Sequence, residues 1–236
     1  MKEINHKLDE KQILKNLESF NNDREQIERY ASFDYCFNYF QEKYKNGEKE
    51  KIADSKNVQL SCLQLGFYLA SWGMYRGSTF LLQKSVKIFE PLIKYIAAEC
   101  DVWDIDVNEY TDDNIKKLIR CGERIVEELK IREKQKNIDT LVTKIMLGVF
   151  GNVPAFDRNF RLGSNLGTFN EHSLKQIEEF YKNNSGVISG KAKEIKTLKY
   201  IDGSESKIGY TRAKIIDMIF FTEGFNNDSK VKQNKI

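Results

Sequence analysis

The stretch "TKIMLGVFGNVPAFDRNF", residues 143–160, decides the architecture, because it joins two helical segments through a glycine and a proline turn. Its first half has helical apolar spacing. Gly148 and Gly151 lie about one turn apart there, so we expect another backbone to approach closely. The chain must then leave the helix, because the residue before Pro154 is driven away from α geometry. Asp157 follows where the next helix would begin, and a carboxylate at that position can cap backbone N–H groups.

Apolar residues at three- and four-residue spacing continue on both sides of this stretch and predict helices over most of the chain. The sequence shows no strand alternation, hairpin signal or repeat, so we expect an all-α fold, a single helical domain of about nine helices. Residues 57–72 should form the central helix, because their apolar side chains face nearly every direction. The expected organisation is an N-terminal helical segment at 1–55 packed on the core, a main helical domain at 56–225 and a disordered tail at 226–236.

Residue types that cap, bend or end helices mark the expected boundaries. The expected N-caps are Asn22 or Asp23 for a helix up to about residue 45, Asp139 for the helix of the central stretch, and Thr168 in a capping box with Glu171. Pro91 should kink a helix that begins after Ser78. Gly224 should end the last helix.

Composition limits the possible functions. The 236 residues include 40% hydrophobic residues, enough for a real core, and only two prolines, which suits long helices. The net charge of +3 is well short of what a dedicated nucleic-acid coat would carry, although a local basic face stays possible. The N-terminus lacks the apolar core of a signal peptide, and no apolar run is long enough to cross a bilayer. We therefore expect a soluble, cytoplasmic protein without a membrane partner.

The four cysteines lie among apolar residues and form no C-x-x-C pair. We expect them to be buried free thiols, which fits a reducing compartment. The chain has only two histidines, so a structural zinc site is not expected. The acidic stretch "CDVWDIDVNEY" lacks the glycine and the spacing of a calcium loop. The sequence therefore predicts neither a metal nor a cofactor.

Two stretches carry residues suited to chemistry. In "SWGMYRGS", residues 71–78, Trp72, Tyr75 and Arg76 stand at a glycine-rich helix break. They could stack a flipped base between aromatic rings and hold a phosphate, or they could form a packed helix corner with Arg76 paired to an acid. Because both this break and Asp157 fall at helix ends, we expect a shared cleft.

The residues around Asp157 also have two interpretations. The carboxylate could act as a general base at the mouth of the helix, or it could be an N-cap without chemistry. Lys144, Arg158 and Arg161 lie nearby in the sequence and are candidates for binding a phosphate or carboxylate.

The order of helix, glycine turn, "VPAFD" and helix resembles the helix-hairpin-helix DNA glycosylase superfamily, especially its 8-oxoguanine glycosylase-like branch. The resemblance covers about residues 57–222 and is sharpest at 143–160. The segment "TRAKIIDMIFF", within 210–222, is also similar to the closing helices of small bacterial proteins that share this arrangement. By position, Asp157 would be the catalytic aspartate, which in that family stabilises positive charge on the sugar and helps to activate the nucleophile.

The sequence also departs from that family. The stretch before Lys144, "KNIDTLVT", contains no glycine for the compact turn that binds a DNA phosphate. Bifunctional members need a lysine about two turns upstream of Lys144, and Lys136, which is nearer that spacing, precedes the expected helix cap. The lysine role therefore stays unassigned.

Three functions follow from these features. The first is a nucleic-acid-acting enzyme, a base-excising DNA glycosylase-like protein with Asp157 as its acid/base residue. The second is a silent module on the same scaffold that binds a nucleotide or base. The third is a helical protein-interaction partner in a defence or toxin system. DNA or a nucleotide is the expected partner of the first two, and another protein is the partner of the third.

Overall fold

The computed structural model describes residues 3–5, 8–77, 79–131 and 138–233. The fold is mostly helical, which confirms the all-α class. The described residues contain ten α-helices and one two-stranded sheet. The helices are α1 (Glu10–Asn22), α2 (Ala31–Lys45), α3 (Val58–Ser71), α4 (Glu90–Ala98), α5 (Asp112–Glu128), α6 (Ile138–Phe150), α7 (Arg158–Ser164), α8 (Glu171–Asn183), α9 (Ser185–Glu194) and α10 (Arg212–Gln233).

The prediction that Asn22 or Asp23 begins the second helix is wrong. Asn22 is the last residue of α1, and α2 starts only at Ala31, without a side-chain cap. The intervening segment is held as a turn because Arg24 donates hydrogen bonds to the Asp34 carboxylate and to the Lys196 carbonyl. These partners are distant in sequence, so local periodicity does not reveal the break.

The prediction of a helix kinked at Pro91 is also wrong. Two 3-10 turns, Phe80–Gln83 and Val86–Phe89, precede α4, and Pro91 lies in the first turn of that helix. A proline is favourable at this place, because the N–H that it lacks would have no helical partner.

The predicted capping box at Thr168 is replaced by a cap two residues later. Asn170 is the N-cap of α8, and its side-chain oxygen accepts a hydrogen bond from the backbone N–H of Ser173. The Thr168 hydroxyl accepts a hydrogen bond from the Asn170 side chain, so it supports the cap without forming it.

A short antiparallel hairpin was not predicted. Strands β1 (Lys196–Leu198) and β2 (Glu205–Gly209) pair with an irregular register. The turn between them contains Asp-Gly, a common hairpin signal, and Gly203 adopts a φ of +68°. The alternation on either side is too short to stand out in a chain dominated by helical spacing.

Helix α6 is the central helix, so the assignment of that role to residues 57–72 is wrong. Every residue from Leu141 to Phe150 is buried. Helix α3 instead packs with one side and leaves Leu60, Leu63 and Phe67 exposed. Helices α3 and α6 both carry apolar residues on nearly every side, so the sequence alone does not show which of them the core encloses. Contacts between distant parts of the chain decide this.

Helices α7 and α10 cross in backbone contact at two glycines. A Cβ atom at Gly163 would overlap the Phe220 carbonyl, and one at Gly224 would overlap the Asn159 carbonyl. Gly224 therefore does not end the last helix, as predicted, but permits a close crossing in its middle. The expected disordered tail at 226–236 is helical as far as Gln233.

All four cysteines are buried and free, as predicted. Among the described helices, none has the length and apolar character needed to cross a membrane.

Candidate functional site

The turn between α6 and α7 is anchored by side chains from two helices. Gly151, with a φ of +69°, lets the chain leave α6. The Thr143 hydroxyl accepts a hydrogen bond from the Phe156 N–H (2.8 Å), and the Asp217 carboxylate accepts one from the Ala155 N–H (3.0 Å). The turn is thus fixed from α6 on one side and from α10 on the other.

Asp157, immediately after this turn, is the N-cap of α7, which confirms that part of its predicted role. Its Oδ1 accepts a hydrogen bond from the Phe160 N–H at 3.0 Å. Its Oδ2 lies 3.1 Å from the Lys144 ammonium. The Lys144 side chain is 4% exposed and that of Asp157 is 16% exposed, so this ion pair reaches the surface only at the carboxylate.

The helix break at Trp72 lies on the same side of the core as Asp157. Trp72 is the C-cap residue of α3, and the Lys144 ammonium lies 4.9 Å from its ring centroid, in cation–π geometry. The rings of Tyr30 and Phe221 meet the indole edge-on at 5.4 and 5.6 Å. The indole N–H is buried and has no hydrogen-bond partner among the described residues.

A second lysine–aspartate pair lies behind Trp72. The Lys214 ammonium is 2.8 Å from Asp217 and lies 4.5 to 5.8 Å from the ring centroids of Phe20, Phe33 and Trp72. The Lys214 side chain is 3% exposed and that of Asp217 is 7% exposed. Sequence reasoning missed this pair, although a lysine and an aspartate three positions apart inside an apolar helix were a usable signal. We call Trp72 with the two ion pairs the Trp72 cluster.

Tyr68 lies between the two pairs. Burial raises the pKa of its phenol well above the ordinary value, and the Asp217 and Asp157 carboxylates add to the shift. Its ring lies against Gly148, where a Cβ atom would overlap it. The close approach expected at Gly148 is therefore made by an aromatic ring, not by another backbone.

The remaining predicted residues lie outside the Trp72 cluster. Tyr75 is half-buried, and its hydroxyl has no hydrogen-bond partner in the described part of the chain. Burial raises the pKa of this phenol, and the nearby Cys62 thiol raises it further. Arg76 is exposed and folds back against Gly73. Arg158 forms a two-pronged ion pair with Asp228.

Arg161 also points away from the cluster, toward Asp139 at the start of α6, with 3.9 Å between the charged atoms. Lys136, a candidate for the unassigned lysine role, falls outside the described residues.

Arg29, which the sequence analysis did not single out, covers the cluster instead. Its exposed guanidinium lies 5.4 Å from the Trp72 ring centroid and 5.2 Å from that of Tyr30. Three cations therefore surround one indole, and two carboxylates balance them, which leaves one excess positive charge. This arrangement suits an anionic ligand that has a flat ring.

Within the described ranges, no group of three or more acidic, histidine or cysteine side chains is arranged to hold a metal ion. No family model matches the chain, and comparison with curated proteins and with solved structures found no similar protein.

Proposed function

We propose that the protein acts on nucleic acid and excises a base, with Asp157 as the acidic residue of the reaction. The observation that carries the proposal is the partly exposed Lys144–Asp157 pair beside Trp72. It joins a carboxylate, a cation and a stacking surface, which are the groups that cleavage of a bond between base and sugar requires.

Each group has a defined part in this reaction. When the bond to the base breaks, the base takes the electron pair and a proton from the solvent, and positive charge develops on the sugar. The Asp157 carboxylate stabilises this charge, and it accepts a proton from the water molecule that attacks the sugar. Lys144, whose ammonium is enclosed, positions the Asp157 carboxylate, and Trp72 offers its ring to the displaced base. Arg29 must move aside for such stacking.

A silent binding module is the second candidate, and one observation favours it. Both carboxylate oxygens of Asp157 already accept hydrogen bonds, one from Phe160 and one from Lys144. A carboxylate engaged in this way can hold a site together without transferring a proton. The same Trp72 cluster would then bind a nucleotide or a base and leave it unchanged.

The protein-interaction alternative is favoured by a different surface. Leu60, Leu63 and Phe67 form an exposed apolar stripe on α3, with Phe67 68% exposed. Such stripes occur where another protein docks. This surface does not involve Asp157, so the two ideas are tested separately.

The test compares wild type with Asp157→Asn on labelled single- and double-stranded DNA that contains damaged or modified bases. Binding is measured over a salt series, and products are analysed for abasic sites. Asp112→Asn is the matched control, because Asp112 is also a carboxylate at a helix start in an ion pair with lysine, but it is largely exposed.

Abasic product from wild type and from Asp112→Asn, but not from Asp157→Asn, is the expected result. Salt-sensitive binding without product from any variant would reject excision and favour the silent module. Absence of both binding and product would reject every nucleic-acid function.

A further inference from the structure

The tip of the hairpin and the turn that faces it carry the most exposed large apolar side chains of the described residues. Ile201 is 90% exposed and Tyr200 is 82% exposed, and Ile27 on the facing turn is 84% exposed. Single exposed apolar residues are common in proteins. Here the three most exposed large ones share one corner, because Gln26 contacts Gly203 and the Tyr35 ring meets the Tyr200 ring edge-on at 5.2 Å.

This corner is built as a firm support. The Lys199 N–H donates to the Ser204 carbonyl (2.7 Å) and the Gly203 N–H donates to the Lys199 carbonyl (3.0 Å), which closes the turn. The base of the hairpin is fixed to α2, because the Leu198 N–H donates to the Asp34 carboxylate and the Leu198 carbonyl accepts from Asn38. The exposed tip is therefore held in place.

The hairpin and the end of α9 also carry an excess of lysine charge. Residues 191–207 contain five lysines and three acidic residues. Lys196 and Lys207 take part in none of the ion pairs found among the described residues. The Lys199 ammonium donates a hydrogen bond to the Ser204 hydroxyl at 3.0 Å and attracts the Asp202 carboxylate. The pKa of Lys45 is lowered, by burial first and then by repulsion from Lys196, so a further positive charge lies beside the strands.

The hairpin tip and the Trp72 cluster flank the same short turn. Gln26 contacts Gly203 at the tip, whereas Arg29 covers Trp72. Arg29 lies three positions after Gln26 in the chain, and an extended chain of this length spans at most about 11 Å. One nucleic-acid duplex is wide enough to touch both features.

We propose that hairpin 196–209 is a duplex-DNA contact, in which Tyr200 and Ile201 insert between base pairs while Lys196, Lys199 and Lys207 contact phosphates. The inference rests on the proposed nucleic-acid function. Apolar side chains that wedge into a base step unstack it, and the cost is offset by the additional protein surface that the deformed duplex contacts. Such unstacking beside Trp72 would help to bring a base out of the helix.

The test measures duplex binding by fluorescence anisotropy over a salt series, with a fluorescent base analogue that reports unstacking. The wedge variant is Tyr200→Ser/Ile201→Ser, and both side chains are exposed, so folding is preserved. Its matched control is Leu60→Ser/Phe67→Ser on α3. The charge variant is Lys196→Gln/Lys207→Gln, with Lys87→Gln/Lys94→Gln, whose lysines pair with Glu90, as control.

The wedge variant should bind at least about tenfold more weakly, lose the unstacking signal and keep the salt slope of wild type. The charge variant should reduce the slope of log affinity against log salt by about 1.8, which is about 0.9 for each lysine. Both controls should behave as wild type. Unchanged binding by the wedge variant, or an unchanged slope in the charge variant, overturns the proposal.

The same samples separate this proposal from the proposed excision. Abasic product with hairpin-independent binding rejects the hairpin contact and leaves excision standing. Hairpin-dependent binding without abasic product rejects excision and leaves the hairpin contact standing. If wild type fails to bind DNA but self-associates in a way that the wedge variant abolishes, the tip is a protein interface and the DNA contact is overturned.

Discussion

The two lysine–aspartate pairs around Trp72 have the same chemistry but different surroundings. Lys214 and Asp217 belong to one helix, and both are almost completely enclosed. Lys144 and Asp157 come from two helices, and the Asp157 carboxylate keeps 16% of its surface exposed. The enclosed pair fixes the turn through Ala155, whereas the open pair presents a carboxylate beside an indole. Exposure of the acid, not the presence of the pair, therefore separates a structural role from a candidate catalytic one.

The largest expected effect comes from breaking the enclosed pair. Asp217→Ala leaves the Lys214 ammonium buried without a partner and removes the acceptor of the Ala155 N–H, so the free energy of unfolding should fall by about 3–5 kcal/mol. Urea unfolding measures this change. The double variant Lys214→Met/Asp217→Leu should recover much of the loss, because it removes both charges together. A loss below about 1 kcal/mol for Asp217→Ala would contradict the structural role.

Crowding the ring between the pairs should have the next largest effect. Gly148→Ala places a methyl group into the Tyr68 ring, so the free energy of unfolding should fall by about 1–3 kcal/mol. Gly167→Ala is the control, since a Cβ there meets nothing within 4 Å, and it should stay within about 0.5 kcal/mol of wild type. Equal stability of the two variants would show that Tyr68 is not packed tightly between the pairs.

The open pair should matter less for stability than the enclosed one. Asp157→Asn keeps one oxygen, which can cap α7 or accept a hydrogen bond from Lys144 but cannot keep both of the present bonds, so it should cost about 1–2 kcal/mol in urea unfolding. Its effect on abasic product should be far larger, a decrease of at least about 100-fold. If Asp157→Asn cost as much stability as Asp217→Ala, the distinction between the two pairs would fail.

The smallest expected effect appears at alkaline pH and concerns Tyr68. Its folded-state pKa lies well above the ordinary value of 10.0, so above pH 10 the folded protein keeps a proton that the unfolded chain has released. Stability is therefore complete below pH 10 and decreases as the pH rises. At pH 10.5 the loss should be about 0.8 kcal/mol for this tyrosine, and Tyr68→Phe should remove that part of the pH dependence. An identical pH dependence in both proteins would contradict a buried phenol between the carboxylates.

Local sequence signals predicted the side of the site that α6, the turn after it and Asp157 form. The apolar run, the glycine and the proline before Asp157 set the end of α6, the turn and the N-cap of α7, because each depends on neighbours in the chain. The placement of Trp72 on the same side as Asp157 followed from both lying at helix ends.

The other side of the site depends on contacts that no local pattern contains. Lys214 reaches Phe20, Phe33 and Trp72, which are far from it in sequence. Arg29 covers Trp72 only because the segment after Arg24 is held as a turn by α2 and the hairpin. The spacing of Lys214 and Asp217 within an apolar helix signals an internal pair, but helical periodicity does not say which distant side chains surround it.

The two tryptophans have consequences for spectroscopy. Trp103 is buried against Tyr44 and Phe150, whereas half-buried Trp72 lies among three cations. In a Trp103→Phe background, intrinsic fluorescence would come from the cluster alone. A nucleotide that displaces Arg29 would then change the emission wavelength and the quenching of Trp72 alone. Occupancy of the site could therefore be followed by fluorescence without any attached dye.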